Sequence, residues 1–184
     1  MRRFLIFVGI ALFILIILGW GVSLLNTRQE KSSSPEDNLR FTSGELEIGV
    51  FYNRPYKKGR QIFGGLVPYN KVWRTGANEA TTFETNRELI IEGKRLPRGK
   101  YSLWTIPKED TWTIIFNREY GQWGINSDGE SNRNTELDVL QVEVRALRHD
   151  KEFEQFTIAF EKLGGDAEMV FLWDNTVVSM PFSF

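Results

Sequence analysis

Between Arg54 and Glu84 the chain reads R-P-Y-K-K-G-R-Q-I-F-G-G-L-V-P-Y-N-K-V-W-R-T-G-A-N-E-A-T-T-F-E. Within it, Arg74, Asn78, Glu79 and Thr81 set a guanidinium, an amide, a carboxylate and a hydroxyl close together in sequence. An arginine fork binds a carboxylate or another planar anion bidentately. Two arrangements satisfy these groups. In one, Arg74 pairs with Glu79 or Glu84, Asn78 ties down the turn, and Tyr69, Trp73 and Phe83 fill the core. In the other, Arg74, Asn78, Glu79 and Thr81 converge on a pocket for a polar or anionic ligand. Glu79 and Glu84 also have the chemistry of a glycosidase acid/base pair, which needs two carboxylates about 5–10 Å apart; sequence spacing does not bring them together by itself. Trp123, in the glycine-flanked G-Q-W-G, is the tryptophan best placed for exposure and sugar stacking. Trp104 and Trp112 fall in strand-like stretches and read as core.

Other chemistries lack their residues. There is no cysteine, so thiolate nucleophiles, thiolate metal sites and disulfides are excluded. The single histidine, His149, sits in a charged R-H-D-K patch without a triad around it. Zinc and iron sites want two or more His or Cys ligands. The spacing in N-S-D-G-E-S-N-R-N, from Asn126 to Asn134, does not match a calcium-binding EF-hand loop. No phosphate loop, nucleophile elbow or dinucleotide fingerprint occurs, and no cofactor or metal is expected. A formal net charge of −1 gives no field for nucleic acid. Lys57, Lys58 and Arg60 form a small basic cluster suited to a solvated loop or to contact with phosphate or an anionic headgroup.

The elements that position these groups are strands. Leu46, Ile48, Val50 and Tyr52 alternate with Glu45, Glu47, Gly49 and Phe51, the period of a strand covered on one side. Short strands are expected at Phe83–Thr85 and Glu88–Glu92, the latter turning at E-G-K-R. Lys100–Ile106 and Trp112–Asn117 follow, and Arg118–Glu136 reads as loop. Leu137–Leu147 resumes the alternation with a slip between Val139 and Leu140 that fits a bulge. Phe156, Ile158 and Phe160 alternate again. Ala167–Trp173 and Val177–Phe184 flank Asp174-Asn175-Thr176, which reads as a tight turn. Pro181 marks the last strand as an edge. The fold class is all-β, an antiparallel β-sandwich or jelly-roll-like barrel, preceded by one N-terminal transmembrane helix.

The expected organisation is a cytoplasmic stub at residues 1–3, a membrane anchor at 4–25, a flexible linker at 26–38 and an exported domain at 39–184. Phe4 to Leu25 carries no charge over 22 residues. At about 1.5 Å per residue this spans the roughly 30 Å hydrocarbon core. Arg2 and Arg3 set the N-terminus in the cytoplasm, and Trp20 suits the far interface. A cleaved signal peptide fits less well, because its apolar region is shorter and ends in small residues.

The blocks K-G-R-Q-I-F-G-G-L-V-P-Y-N-K-V-W-R-T-G-A-N-E-A-T-T-F, L-P-R-G-K-Y-S-L-W-T-I-P, W-T-I-I-F-N and Q-W-G follow in order downstream of the anchor. With the terminal L-W-D-N-T-V-V-S-M-P-F, which looks like a closing hairpin, the chain from Leu46 to Phe184 resembles the domain-of-unknown-function family 2911. The resemblance implies a β-rich, exported bacterial protein of Bacteroidetes type, and no catalytic residue. Members commonly carry a signal sequence, where this chain has what reads as a retained anchor.

These readings point to the inner membrane, with a single-pass anchor and the C-terminal domain on the periplasmic or extracytoplasmic side. The expected function is a non-catalytic ligand-binding or interaction module for a polar or anionic small molecule or glycan. A carboxylate-dependent hydrolase of envelope polysaccharide and a purely structural envelope component are the alternatives.

Overall fold

The computed structural model describes residues 13–21 and 33–184, in two compact units divided at Ser33/Ser34. Of the expected span, residues 13–21 are helical, with Phe13, Leu15, Ile16 and Trp20 all more than 60% exposed. No helix among the described residues is long and apolar enough to cross a membrane. The rest of the expected span, the residue 1–3 stub and most of the linker lie outside the described residues.

Among the described residues the second unit holds nine strands. They are β1 Glu36–Ser43, β2 Leu46–Asn53, β3 Thr82–Thr85, β4 Leu89–Ile91, β5 Lys94–Leu96, β6 Gly99–Pro107, β7 Thr111–Asn117, β8 Asp138–Leu163 and β9 Asp166–Ser183. All pair antiparallel, in one sheet of order β1-β2-β3-β6-β7-β8-β9-β4-β5. The antiparallel all-β class therefore stands, as one continuous sheet. β1 starts at Glu36, inside the segment read as linker, because Glu36, Asp37 and Asn38 pair with Asn53, Tyr52 and Phe51.

The alternation read in β2 is observed: Leu46, Ile48, Val50 and Tyr52 are all buried. The β4–β5 hairpin turns on Glu92 and Gly93, both at positive φ, the geometry that matches strand twist. The expected bulge is present. Phe116 pairs with Leu140 but Asn117 with Asp138, leaving Val139 as the extra residue.

Two expectations at the C-terminal end are corrected. Asp174-Asn175-Thr176 does not reverse the chain; β9 runs through it, with Asp174 at φ +53 where the pairing to β8 is irregular. The hairpin lies instead at Gly164-Gly165, between the paired Leu163 and Asp166, with Gly164 at φ +62. Nor is β9 an edge. β8 pairs with it up to Val178 and β4 takes over at Phe182, so Pro181 falls where no ladder donor is needed. The edges are β1 and β5. R-H-D-K around His149 likewise lies within β8, in its irregular stretch between Arg148 and Phe153.

Besides β9, β8 meets two further partners. Its first part pairs with β7, and its middle is met by the segment that follows β2. There Lys57 N donates to Glu154 O at 2.6 Å and Phe156 N to Pro55 O at 3.0 Å. Arg54 reaches Thr157 Oγ1 at 2.9 Å and Asp37 at 3.3 Å, and the Tyr52 hydroxyl accepts from Ile158 N at 3.0 Å. Apolar side chains fill the space so enclosed. Phe41 of β1 stacks on Phe160 at 5.1 Å, and Phe63, Trp73, Trp112, Phe156 and Trp173 form one cluster of edge-on, tilted and stacked rings. Each such pair contributes about 0.5–1.5 kcal/mol beyond its buried area.

Candidate functional site

Residues 73–81 form a turn hung on β6. Trp73 N donates to Thr105 O at 2.7 Å, Thr105 N returns to Trp73 O at 2.9 Å, and Leu103 N donates to Thr81 O at 2.8 Å. Inside, Trp73 Nε1 donates to Gly76 O at 2.9 Å, and Thr81 Oγ1 to Thr75 O at 2.7 Å. Thr75 and Asn78 both hold φ +55. A β-branched residue in that region costs about 1–3 kcal/mol and persists only when its surroundings over-determine it. Here they do: Thr75 is fully buried and its hydroxyl lies 3.2 Å from Thr105 Oγ1.

The turn is anchored on Asn53, the last residue of β2, which is fully buried. Asn53 Nδ2 donates to Glu79 Oε2 at 2.9 Å, and Asn53 Oδ1 accepts from Asn78 Nδ2 at 3.2 Å. Gly76 backs directly on it: a Cβ there would lie 2.9 Å from Asn53 O. Sequence reasoning missed Asn53 because a polar residue at a strand end carries no signal of its own. In the structure Tyr52 and Asn53 are buried in succession, which breaks the β2 alternation.

The five predicted ligand residues thus separate into two groups. Thr81 is fully buried and Asn78 nearly so, and both hold the turn from within. Arg74 and Glu79 are half-buried, and Arg74 Nη1 donates to Trp123 O at 3.3 Å, so the turn and the Trp123 loop touch. Gly124 packs under Arg74, where a Cβ would meet Arg74 Cδ at 2.7 Å. Trp123 is 42% exposed, whereas Trp104 and Trp112 are buried, as their strand positions implied. Glu84 stands on the exposed side of β3, 3.8 Å from Lys100 Nζ.

The Lys57-Lys58-Arg60 cluster is tied to the acidic middle of β8 and to Asp174 of β9. Lys57 Nζ lies 2.7 Å from Asp174 and 3.0 Å from Glu152, whose hydrogen bonds, Asp174's first, raise its pKa. Lys58 N donates to Glu154 Oε1 at 2.9 Å, and Arg60 Nε donates to Lys57 O at 2.9 Å. No group of three or more His, Cys, Asp or Glu among the described residues is arranged to hold a metal. A depression of about 460 Å³ is lined by Tyr69, Asn70, Lys108, Glu109, Asp110 and Thr111, none of them a predicted ligand residue.

The family model for DUF2911, proteins of unknown function, matches residues 34–182. The chain belongs to the DUF2911 family. Neither the curated proteins nor the solved structures contain a match. The match begins where the second compact unit begins, at Ser34, and takes in β1 to β8 and all but the last residue of β9 in this DUF2911 domain. The Asn53-anchored turn and the Trp123 loop both lie inside it.

Proposed function

We propose that this DUF2911 protein is a membrane-anchored, non-catalytic ligand-binding module of the cell envelope, taking a polar or anionic ligand or glycan where Arg74, Glu79 and Trp123 meet. The observation that carries the reading is the junction itself. A half-buried arginine bonded to the backbone of an exposed tryptophan sits on a turn held rigid by Asn53, Thr75 and Thr81. Rigid turns that keep polar groups at the surface are where binding residues concentrate. A sandwich-like enclosure of the core, with β1 covering the end of β8, gives that turn a fixed base; the Phe41–Phe160 stack supports it.

The anchor rests on the uncharged run from Phe4 to Leu25 and the two arginines before it. Residues 13–21 support it further, because their helix is apolar all round, a pattern suited to a lipid or protein interior. With that anchor, the domain stands on the periplasmic or extracytoplasmic side.

Calorimetric titration of the full chain with hexagalacturonate and chitohexaose, in a detergent without a sugar headgroup, tests the site. Arg74→Met is expected to weaken binding at least fivefold with little change in Tm. A Tm loss of several degrees without any change in binding overturns the reading in favour of an internal structural pair.

A further inference from the structure

Tyr120 and Trp123 are 52% and 42% exposed, although they lie three residues apart in one short loop. Single exposed aromatics are ordinary on protein surfaces; two on a loop this tightly held are not explained by looseness. Glu119 N donates to Asn117 Oδ1 at 2.9 Å, and Glu119 O accepts from Ser102 Oγ at 2.6 Å and from Gln122 Nε2 at 3.3 Å. Gln122 O accepts from Ala80 N at 3.1 Å and Trp123 O from Arg74 Nη1 at 3.3 Å. The backbone is thus fixed on both sides of Tyr120 and at Trp123. Gly121 at φ +90 and Gly124 at φ +97 supply the bends, conformations that other residues rarely adopt. Lys100 Nζ stands over one face of Tyr120, 5.3 Å from the ring centre.

We propose that Tyr120 and Trp123 form a pre-set stacking platform for a neutral pyranose chain, with Arg74 as its hydrogen-bonding rim. This rests on the binding reading above and names the ligand class for the same face. Tyr and Trp offer broad, stiff rings with few torsions to freeze, so a fixed loop presenting them loses little entropy on binding. Their negative ring faces attract the weakly positive C–H groups on the flat side of a pyranose. The charges around the loop select against charged alternatives. Lys100, over Tyr120, is paired with Glu84 at 3.8 Å, and the opposite charges of Arg118 and Glu119 are adjacent in the chain. A nucleic-acid strand would also stack on aromatic rings but needs an excess of cations along its backbone. An anionic bilayer surface needs the same excess. A balanced surface suits an uncharged ligand that brings its own hydroxyls.

The test titrates the full chain calorimetrically with cellohexaose, chitohexaose and, as the acidic counterpart, hexagalacturonate, again in a sugar-free detergent. At least one neutral hexasaccharide is expected to bind. Tyr120→Ala and Trp123→Ala are each expected to weaken it tenfold or more with near-UV circular dichroism unchanged in the core bands, and Trp123→Phe is expected to retain binding within about threefold. Alanine variants that bind neutral saccharide like the wild type overturn the platform. So does a chain that binds only hexagalacturonate in an Arg74-dependent way, which leaves the wider ligand-binding reading standing. A chain that binds none of the three overturns both.

Discussion

Asn53 Nδ2 donates to Glu79 Oε2 at 2.9 Å, joining the end of β2 to a turn 26 residues further along the chain. The amide is fully buried and its oxygen is engaged by Asn78. Asn53→Ala therefore removes one hydrogen bond each from the buried Asn78 amide and from Glu79. An expected loss of about 1–3 kcal/mol follows from the desolvation of unpaired buried groups, read from urea unfolding followed by tryptophan fluorescence. Glu79→Gln keeps an acceptor for Asn53 and should lose under about 1 kcal/mol. Equal losses in the two variants would show that Asn53 does not organise the turn.

Gly76 and Gly49 make a matched pair for testing how tightly the turn is seated. A Cβ on Gly76 would lie 2.9 Å from the backbone oxygen of Asn53 and 3.2 Å from Thr81 Oγ1, whereas one on Gly49 meets nothing within 4 Å. Gly76→Ala is expected to destabilise by about 1–3 kcal/mol through overpacking against backbone. Gly49→Ala, in a strand with room to spare, should be neutral or stabilising by up to about 1 kcal/mol. Thermal unfolding of both variants checks the contrast, and a Gly76→Ala chain as stable as the wild type would refute the close seating.

Burial pushes the Tyr52 hydroxyl up to about 12, only partly offset by its bond from Ile158 N. The folded form therefore holds its proton in a window where the unfolded chain, near 10, has released it. Stability is present below pH 10 and falls as pH rises from about 10 to about 12, by an amount on the order of 2 kcal/mol. Lys57, whose pKa is raised by Asp174 and Glu152, loses its contribution in the same alkaline direction. Tyr52→Phe separates the two, since it should flatten the Tyr52 part of the alkaline slope and leave the rest. Urea midpoints measured from pH 8 to pH 11 carry the comparison; an unchanged slope in Tyr52→Phe would rule out the buried phenol as its source.

Strand content was readable wherever a side chain's fate depends on its immediate neighbours. The inward set of β2, the E-G-K-R hairpin, the slip at Val139 and the burial of Trp104 and Trp112 all follow from local alternation and turn chemistry. The failures have one physical cause. Asp174-Asn175-Thr176 tolerates positive φ equally well in a hairpin or in a bulge, and what decides is whether β9 finds a partner on both sides of it. Pro181 marks an edge only where an interior strand would need to donate at that position, and the hand-over from β8 to β4 removes that need. Of the site, the residue types of the 74–81 turn and the exposure of Trp123 were legible. Asn53 and Tyr120 were not, because their roles come from pairings with distant segments of chain.

The meeting of the β2 extension with the middle of β8 has a consequence for the order of assembly. Arg54 and Thr157, which bond across it, are separated by 103 positions in sequence. Loop closure over that distance is entropically late, and sheets built on such long-range pairings fold slowly. The β8 partners of Arg54, Phe156 and Thr157, lie in the last third of the chain, so as a nascent chain emerges from N- to C-terminus they come after the turn they help to steady. Asn53, one residue before that seam, is already paired with Glu36 of β1, but the backbone that follows it is held only once β8 arrives. The proposed ligand face is therefore completed late in folding, and a nascent chain halted before β8 would carry all five predicted ligand residues without the β8 contacts that brace the end of β2.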